Sequence, residues 1–269
     1  LATKHNISIL GCGWLGFPLA RTLAANGFHI KGSTTSPGKL EIFSASGINP
    51  YLIELGSDGI SGDIDGFLET SSILIIDIPP KVKLESGSYP KKINALIPHI
   101  ERSGIKSVLF ISSTSVYGNG IDIATEEIVP TPTSTSGKEI VQAENLLLEN
   151  SNFETTILRF GGLIGDERHP VFHLSGKQEI ENPGGPVNLI HREDCLNIIL
   201  KIIENKIWGE TFNAVAPYHP TREEYYTQKA ESLDLPLPVF SKKNSSSGKI
   251  VSTGKLLRFV RYNFLHPEL

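Results

Sequence analysis

Lys138 lies within TPTSTSGKEIVQAENLL, residues 131–147, at the mouth of an amphipathic helix and among hydroxyl side chains. An ammonium in that setting either shares in proton transfer or anchors a ligand through its hydroxyls. A second stretch, ILGCGWLGFPLA at 9–20, sets Gly11, Gly13 and Gly16 as GxGxxG between an apolar strand and a helical pattern. Glycines there permit a tight turn and close approach of backbone to a pyrophosphate, while the open N–H groups of the helix start favour negative charge. Gly11, Gly13, Trp14, Leu15 and Gly16 are therefore candidate dinucleotide-binding residues. Pro18 fits this reading only in the first turn of the helix. Cys12, inside the loop, is either a redox-sensitive thiol or an inert buried one.

Sites that grip ribose hydroxyls with a carboxylate carry an Asp or Glu at the end of the second strand. Between Arg21 and Lys39 there is no acid, and the segment after that strand reads KGSTTSPGKL. Ser33, Thr34 and Thr35 are neutral donors there, and Lys31 and Lys39 are cations suited to a 2'-phosphate. This pattern favours NADP over NAD, against a plainer reading in which the lysines are solvated surface. A triphosphate loop is excluded, since GKIVSTGKL at 248–256 has five residues between its glycines and ends in Leu.

The elements that must position these residues follow from periodicity. Segments 7–10, 28–33, 51–55, 72–78, 107–113, 155–160 and 210–217 read as strands, mostly rich in Ile, Val and Leu. Helical patterns lie between most of them, notably at 91–104 and 138–150, with further helices near 192–205 and 222–232. Apolar strands alternating with helices imply an α/β fold, a doubly wound parallel sheet of Rossmann type covered on both faces. The rhythm breaks after about residue 165, which suggests a smaller C-terminal α+β lobe for substrate. The expected division is 1–165 for the dinucleotide-binding domain, with 191–217 returning to it. Residues 166–190 and 218–269 then form the lobe, including a Ser-rich linker at 244–247.

The totals narrow the function. The chain has 269 residues, 39% hydrophobic and 20% charged, with a net charge of -4, which argues against a nucleic-acid surface. Two cysteines give neither a disulfide framework nor a zinc motif, so no metal is expected and a reducing cytoplasm is the default. The most apolar run, ILIIDI at 73–78, is too short to span a membrane, and the opening residues lack the pattern of an export signal. Methionine is absent even at position 1, which reads as a trimmed chain.

The blocks VLFISSTSVYG (108–118), TILRFGGLIGDERHP (156–170) and VNLIHREDC (187–195), with the helix carrying Lys138, together resemble the extended short-chain dehydrogenase/reductase superfamily, of the NAD(P)-dependent epimerase/dehydratase type. The resemblance covers nearly the full length. It implies a catalytic Ser at Ser113 and a Lys at Lys138 that binds the nicotinamide ribose. The family tyrosine four residues before that lysine is Ser134 here. A phenol of pKa about 10 can be lowered toward neutrality by a nearby ammonium, and an alkyl hydroxyl cannot readily be. Either the helix starts after Thr131 with Pro132 first, placing Ser134 and Lys138 on one face, or it starts later on a Ser136–Glu139 capping box with Ser134 in the loop.

Three roles compete. Lys138 keeps its cofactor role without an acid/base partner, or Tyr117 supplies the phenol, or His191 does the proton transfer. By the same resemblance Pro79 (with Pro80), Phe160 and Gly161 (with Gly162) lie beside the cofactor. Arg168 and His169 open the substrate lobe, Asp194 caps the helix after His191, and Asn94 corresponds to an Asn that bends its helix. The family often forms homodimers through the helices flanking its central strands. The expected function is an NADP-dependent oxidoreductase or epimerase of this type on a small polar, sugar-like substrate, the alternative being a catalytically silent NADP(H)-binding sensor. The GxGxxG loop, in place of the family's usual GxxGxxG, marks an atypical branch.

Overall fold

The computed structural model describes residues 5–56, 59–80, 87–242 and 248–269, so the 244–247 linker expectation lies outside the described residues. In chain order the strands are β1 (Asn6–Leu10), β2 (His29–Thr34), β3 (Asn49–Leu52), β4 (Glu54–Gly56), β5 (Gly59–Ser61), β6 (Ile73–Ile76), β7 (Ser107–Ser113), β8 (Ile123–Ala124), β9 (Glu154–Phe160), β10 (Gly162–Ile164), β11 (Leu189–His191), β12 (Thr211–Ala214) and β13 (Ile250–Val251). The helices are α1 (Gly16–Ala25), α2 (Leu40–Ala45), α3 (Ile64–Leu68), α4 (Ser88–Ser103), α5 (Thr135–Leu148), α6 (Val171–Leu174), α7 (Arg192–Glu204), α8 (Arg222–Ser232) and α9 (Gly254–Val260).

Seven strands form one sheet in the order β12-β9-β7-β6-β1-β2-β3, and every neighbouring pair is parallel. Each strand expected from the sequence has its counterpart there. The pleat divides the side chains between two cores: Ile7, Ile9, Ile73, Ile75, Leu109 and Leu158 face one side, against Leu19 and Leu23 of α1 and Ile198, Ile199 and Ile202 of α7. Leu74, Ile76, Val108, Phe110 and Ile157 face the other, against Phe67 of α3, Ile93, Leu96 and Ile100 of α4, and Ile140, Ala143 and Leu147 of α5. Burying each such side chain contributes roughly 1.5–3 kcal/mol, so the helices are fastened to the sheet chiefly by this two-sided apolar contact. The fold is the doubly wound α/β arrangement of Rossmann type.

A smaller apolar cluster, with Ile164, Val171, Val187, Leu189, Tyr225, Tyr226, Ala230 and Phe240, holds β10, β11, α6 and α8 together as a lobe. The end of the chain departs from the expected division. Leu256 and Val260 of α9, with Tyr262, pack into the first sheet core, because α9 lies against β12 and α7. Among the described residues no helix is long and apolar enough to cross a membrane.

Candidate functional site

The strand order reverses between β1 and β6, and the crevice beyond the carboxyl ends of strands at such a reversal is where open α/β sheets bind ligands. A cavity of about 350 Å³ opens there, lined by Gly11, Cys12, Gly13, Ser33, Thr34, Thr35, Lys39, Asp77, Pro79 and Lys92, among others. Gly11 has φ +104°, and a Cβ on it would stand 2.3 Å from the Asp77 carbonyl oxygen, so only glycine fits between β1 and β6. A Cβ on Gly13 would meet nothing within 4 Å. Gly11→Ala is accordingly expected to lower unfolding free energy by roughly 1–3 kcal/mol in a urea titration, with Gly13→Ala close to neutral. Equal losses in both variants would contradict this geometry. Pro18 is the third residue of α1, within its first turn as required.

The loop is tied to β2. The Gly11 N–H donates to Ser33 Oγ at 2.9 Å and the Cys12 N–H to the Ser33 carbonyl at 2.8 Å. Ser33 and Thr34 are buried, whereas Thr35 and Lys39 are exposed on the cavity rim. Lys31 is not part of this wall. Its Nζ donates to the carbonyls of Gly66 (2.9 Å) and Glu69 (2.5 Å), satisfying the end of α3, so it cannot serve as a phosphate partner. Cys12 is an inert thiol, since burial pushes its pKa up to about 12.

Asp77 was not among the sequence candidates, yet it stands at the centre of the loop. Its carboxylate accepts the Gly16 N–H at the start of α1, where the helix offers its anion-binding end. Burial raises its pKa to about 8, against the opposing effects of the Gly16 hydrogen bond and the Arg168 charge. At neutral pH this carboxyl is mainly protonated. The signal in the sequence was an acid directly ending the apolar run ILII.

The residues taken over from the family resemblance fare unevenly. Ser113 ends β7, half-buried, with its Oγ accepting the Ser115 N–H at 3.1 Å. The turn after it packs on the start of α5: a Cβ on Gly137 would lie 2.6 Å from the Ser115 carbonyl oxygen. Ser134 is the N-cap of α5, its Oγ accepting the Gly137 N–H at 3.0 Å, so the helix begins at Thr135 and neither expected start is found. Glu139 has no capping-box role, being buried with Oε1 accepting the Gly87 N–H. Lys138 is exposed in the first turn of α5 and does not line the cavity.

Tyr117 cannot supply the missing phenol. It is buried, donates to Asn213 Oδ1 at 2.8 Å and accepts from Arg159 Nη1 at 2.9 Å, and burial raises its pKa despite the Arg159 charge. Phe160 points into the core, and Gly161 closes on the Asn188 carbonyl, 2.7 Å from where its Cβ would be. Neither borders the cavity, whereas Pro79 does. Asn94 lies exposed on α4.

On the lobe side, two guanidinium groups lie over the Trp14 ring, Arg168 at 4.7 Å and Arg192 at 4.8 Å from its centre. Arg168 therefore stands over the glycine loop with the Asp77 carboxyl within its field. His169 is structural, contrary to expectation. Its Nδ1 accepts the Val171 N–H and its Nε2 bonds Tyr225 Oη at 2.8 Å, and burial lowers its pKa to about 4. His191 caps α7 through Nδ1, accepting the Glu193 N–H at 3.3 Å. Asp194, expected to be that cap, is instead fully buried inside α7 and accepts from Tyr262 Oη, the Leu265 N–H and the His266 N–H.

No family model matches the chain. Protein YeeZ of Escherichia coli K12 is 31% identical over 269 residues, spanning 97% of this chain and 96% of that protein. Among solved structures, a conserved protein of unknown function from Silicibacter pomeroyi aligns with TM-score 0.82 at 24% identity over 98% of this chain and 95% of its own. A short-chain dehydrogenase/reductase superfamily protein from Agrobacterium tumefaciens with bound NAD aligns at 0.79 and 16% identity, over 97% and 92%. UDP-glucuronic acid 4-epimerase from Bacillus cereus, in complex with NAD, aligns at 0.76 and 16%, over 96% and 91%. The nearly full-length likeness at 31% identity places the chain in the family of protein YeeZ, and its all-parallel sheet with a glycine turn at the reversal is the fold of the short-chain dehydrogenase/reductase and epimerase structures.

Proposed function

We propose that the cavity beyond β1 and β6 binds a nicotinamide dinucleotide, NADP in preference to NAD, and that the protein is an oxidoreductase or epimerase acting on a small polar, sugar-like substrate. The observation that carries this reading is the joining of the glycine turn to a wall of Ser33, Thr34, Thr35 and Lys39 around one cavity. The residues present fit the group. Gly13 is open toward added atoms, the start of α1 offers N–H groups, and the carboxyl nearest that helix start, Asp77, has its pKa raised by burial to about 8. Trp14 and Leu15 would contribute backbone N–H groups, with Lys39 and Thr35 at the 2'-phosphate. The bound nicotinamide would supply hydride exchange.

Of this chain's own groups, Ser113 would orient a substrate oxygen and Lys138 would hold ribose hydroxyls. Support for a proton-transfer role is weakest at Ser134, whose oxygen already serves the helix cap. That same loss supports a second reading, a silent NADP(H)-binding sensor.

Glu54 also lines the cavity, and a carboxylate there would suit the ribose hydroxyls of NAD. Fluorescence titration separates the two cofactors. NADPH is expected to bind more tightly than NADH, and Lys39→Ala to weaken NADPH roughly tenfold while leaving NADH nearly unchanged. Clearly tighter NADH binding, lost in Glu54→Gln, would reverse the assignment. Screening carbonyl compounds and sugar nucleotides at the nicotinamide absorbance then tests turnover, and binding without any turnover would select the sensor.

A further inference from the structure

His191, Glu193 and His266 come together on the surface where the segment after α9 crosses the first turn of α7. One ring nitrogen from each histidine and one oxygen of the carboxylate all lie within 4.8 Å of one another. The imidazole centroids are 3.8 Å apart, and His266 Nε2 is 2.7 Å from Glu193 Oε2. We propose that these three side chains form a binding site for a divalent transition-metal ion of the zinc class, clipping residues 261–269 to α7 and leaving a fourth position for water.

Three features beyond proximity support the site. The donors are two imidazoles and one carboxylate, a set that suits zinc, copper or nickel and disfavours magnesium and calcium, which take oxygen ligands. The backbone carrying His266 is fixed before any ion arrives, because the buried Asp194 carboxylate accepts the N–H groups of Leu265 (2.7 Å) and His266 (3.1 Å) and the Tyr262 hydroxyl (2.7 Å). His191 and Glu193 are likewise set by the N-terminal turn of α7, where they are N-cap and second residue. The three side chains keep 22%, 59% and 37% of their surface exposed, in chain order, so an ion has access and the side chains have room to contract. Contraction to ligand bonds of about 2.0–2.2 Å takes rotation of the three side chains and turns the His191 Nδ1 lone pair, 3.8 Å from Glu193 Oε2, from the Glu193 N–H that it caps toward the ion. Neutral His266 would shift its proton from Nε2 to Nδ1, and the hydrogen bond to Glu193 would be replaced by a shared ion.

The site is independent of the cofactor reading, though not remote from it. Arg192, between the two α7 ligands, is the residue that stacks on Trp14 of the glycine loop and pairs with Asp166. An ion here would add positive charge beside that stack and stiffen the crossing segment.

The test uses the tag-free full chain and ZnCl2 alone, competed against a chromogenic chelator, with CoCl2 as a spectroscopic probe. One equivalent of zinc should bind, cobalt should give the visible bands of a low-coordinate nitrogen and oxygen site, and MgCl2 should not compete. His266→Gln and Glu193→Gln should each weaken zinc by roughly a hundredfold, at least what loss of an outer partner of a metal costs. Circular dichroism should show both variants folded, since both residues are partly exposed. Substoichiometric zinc in the wild type, or zinc of unchanged affinity in His266→Gln, would overturn the proposal. A thiolate-type cobalt spectrum would do the same by placing the ion at a cysteine.

Discussion

Asp77→Asn is expected to stabilise the protein and to remove most of the pH dependence of both its stability and its dinucleotide binding. An unfolded Asp titrates near 4, whereas in the fold burial raises Asp77 to about 8. Between those values the native state holds a proton that the unfolded chain has released, so stability falls as pH rises from about 4 to about 8 and levels off above. Asparagine keeps an oxygen for the Gly16 N–H and never ionises, so its advantage grows across the same window. Allowing for the partly open cavity wall, the gain at pH 8 should be roughly 2–4 kcal/mol, well below what the full shift implies. Binding responds in the same sense: an ionised Asp77 opposes a diphosphate at the start of α1. Wild-type affinity for NADPH should therefore weaken about tenfold per pH unit above roughly pH 8, with the variant nearly flat. Urea denaturation and cofactor titration at pH 6, 7.5 and 9 measure both effects. Parallel stability curves for the two proteins would show that the carboxyl is not held protonated by the fold.

The elements around this carboxyl were legible in the sequence, and its own role was not. The central strands β1, β6, β7 and β9 are visible because buried parallel strands carry runs of Ile, Val and Leu, and these strands build the middle of both cores. The glycine loop was equally plain, since Gly11 carries a backbone conformation and a contact that a side chain would forbid. Partners that depend on which element crosses which could not be foreseen. Lys31 reads as a phosphate ligand, but its ammonium is taken by the carbonyls at the end of α3, and His169 reads as a substrate ligand, but Tyr225, 56 positions away, holds its ring. Asp194 was expected to cap its own helix, but it binds the distant 262–266 segment. Both expected starts of α5 bracket the true one, and Ser134, the residue in the tyrosine's place, is the cap itself.

Arg159→Met should be among the most damaging single changes outside the cavity, and the reason also explains why Tyr117 cannot do the missing tyrosine's work. Arg159 Nε and Nη2 grip the two oxygens of Glu144 at 3.0 and 2.6 Å, with the side chains only 5% and 1% exposed. Ser112 donates to the same carboxylate, and Arg159 Nη1 bonds the Tyr117 oxygen, whose proton goes to Asn213. One network thus ties β7, β9, β12 and α5 together beneath Ser113 and the start of the Lys138 helix. Removing the guanidinium leaves the Glu144 charge buried without its partner, a loss of about 3–5 kcal/mol. Glu144→Leu alone should cost a similar amount by stranding the arginine, whereas Arg159→Met with Glu144→Leu should cost far less than the sum, since an apolar pair of similar volume can replace a buried ion pair. Tyr117→Phe, which removes two hydrogen bonds but leaves the Arg159–Glu144 ion pair in place, should cost only about 1–3 kcal/mol. Equilibrium denaturation of the four variants checks the set. Additive losses in the double variant would mean that the two charges are stabilised separately, and a Tyr117→Phe loss as large as that of Arg159→Met would shift the centre of the network from the ion pair to the phenol.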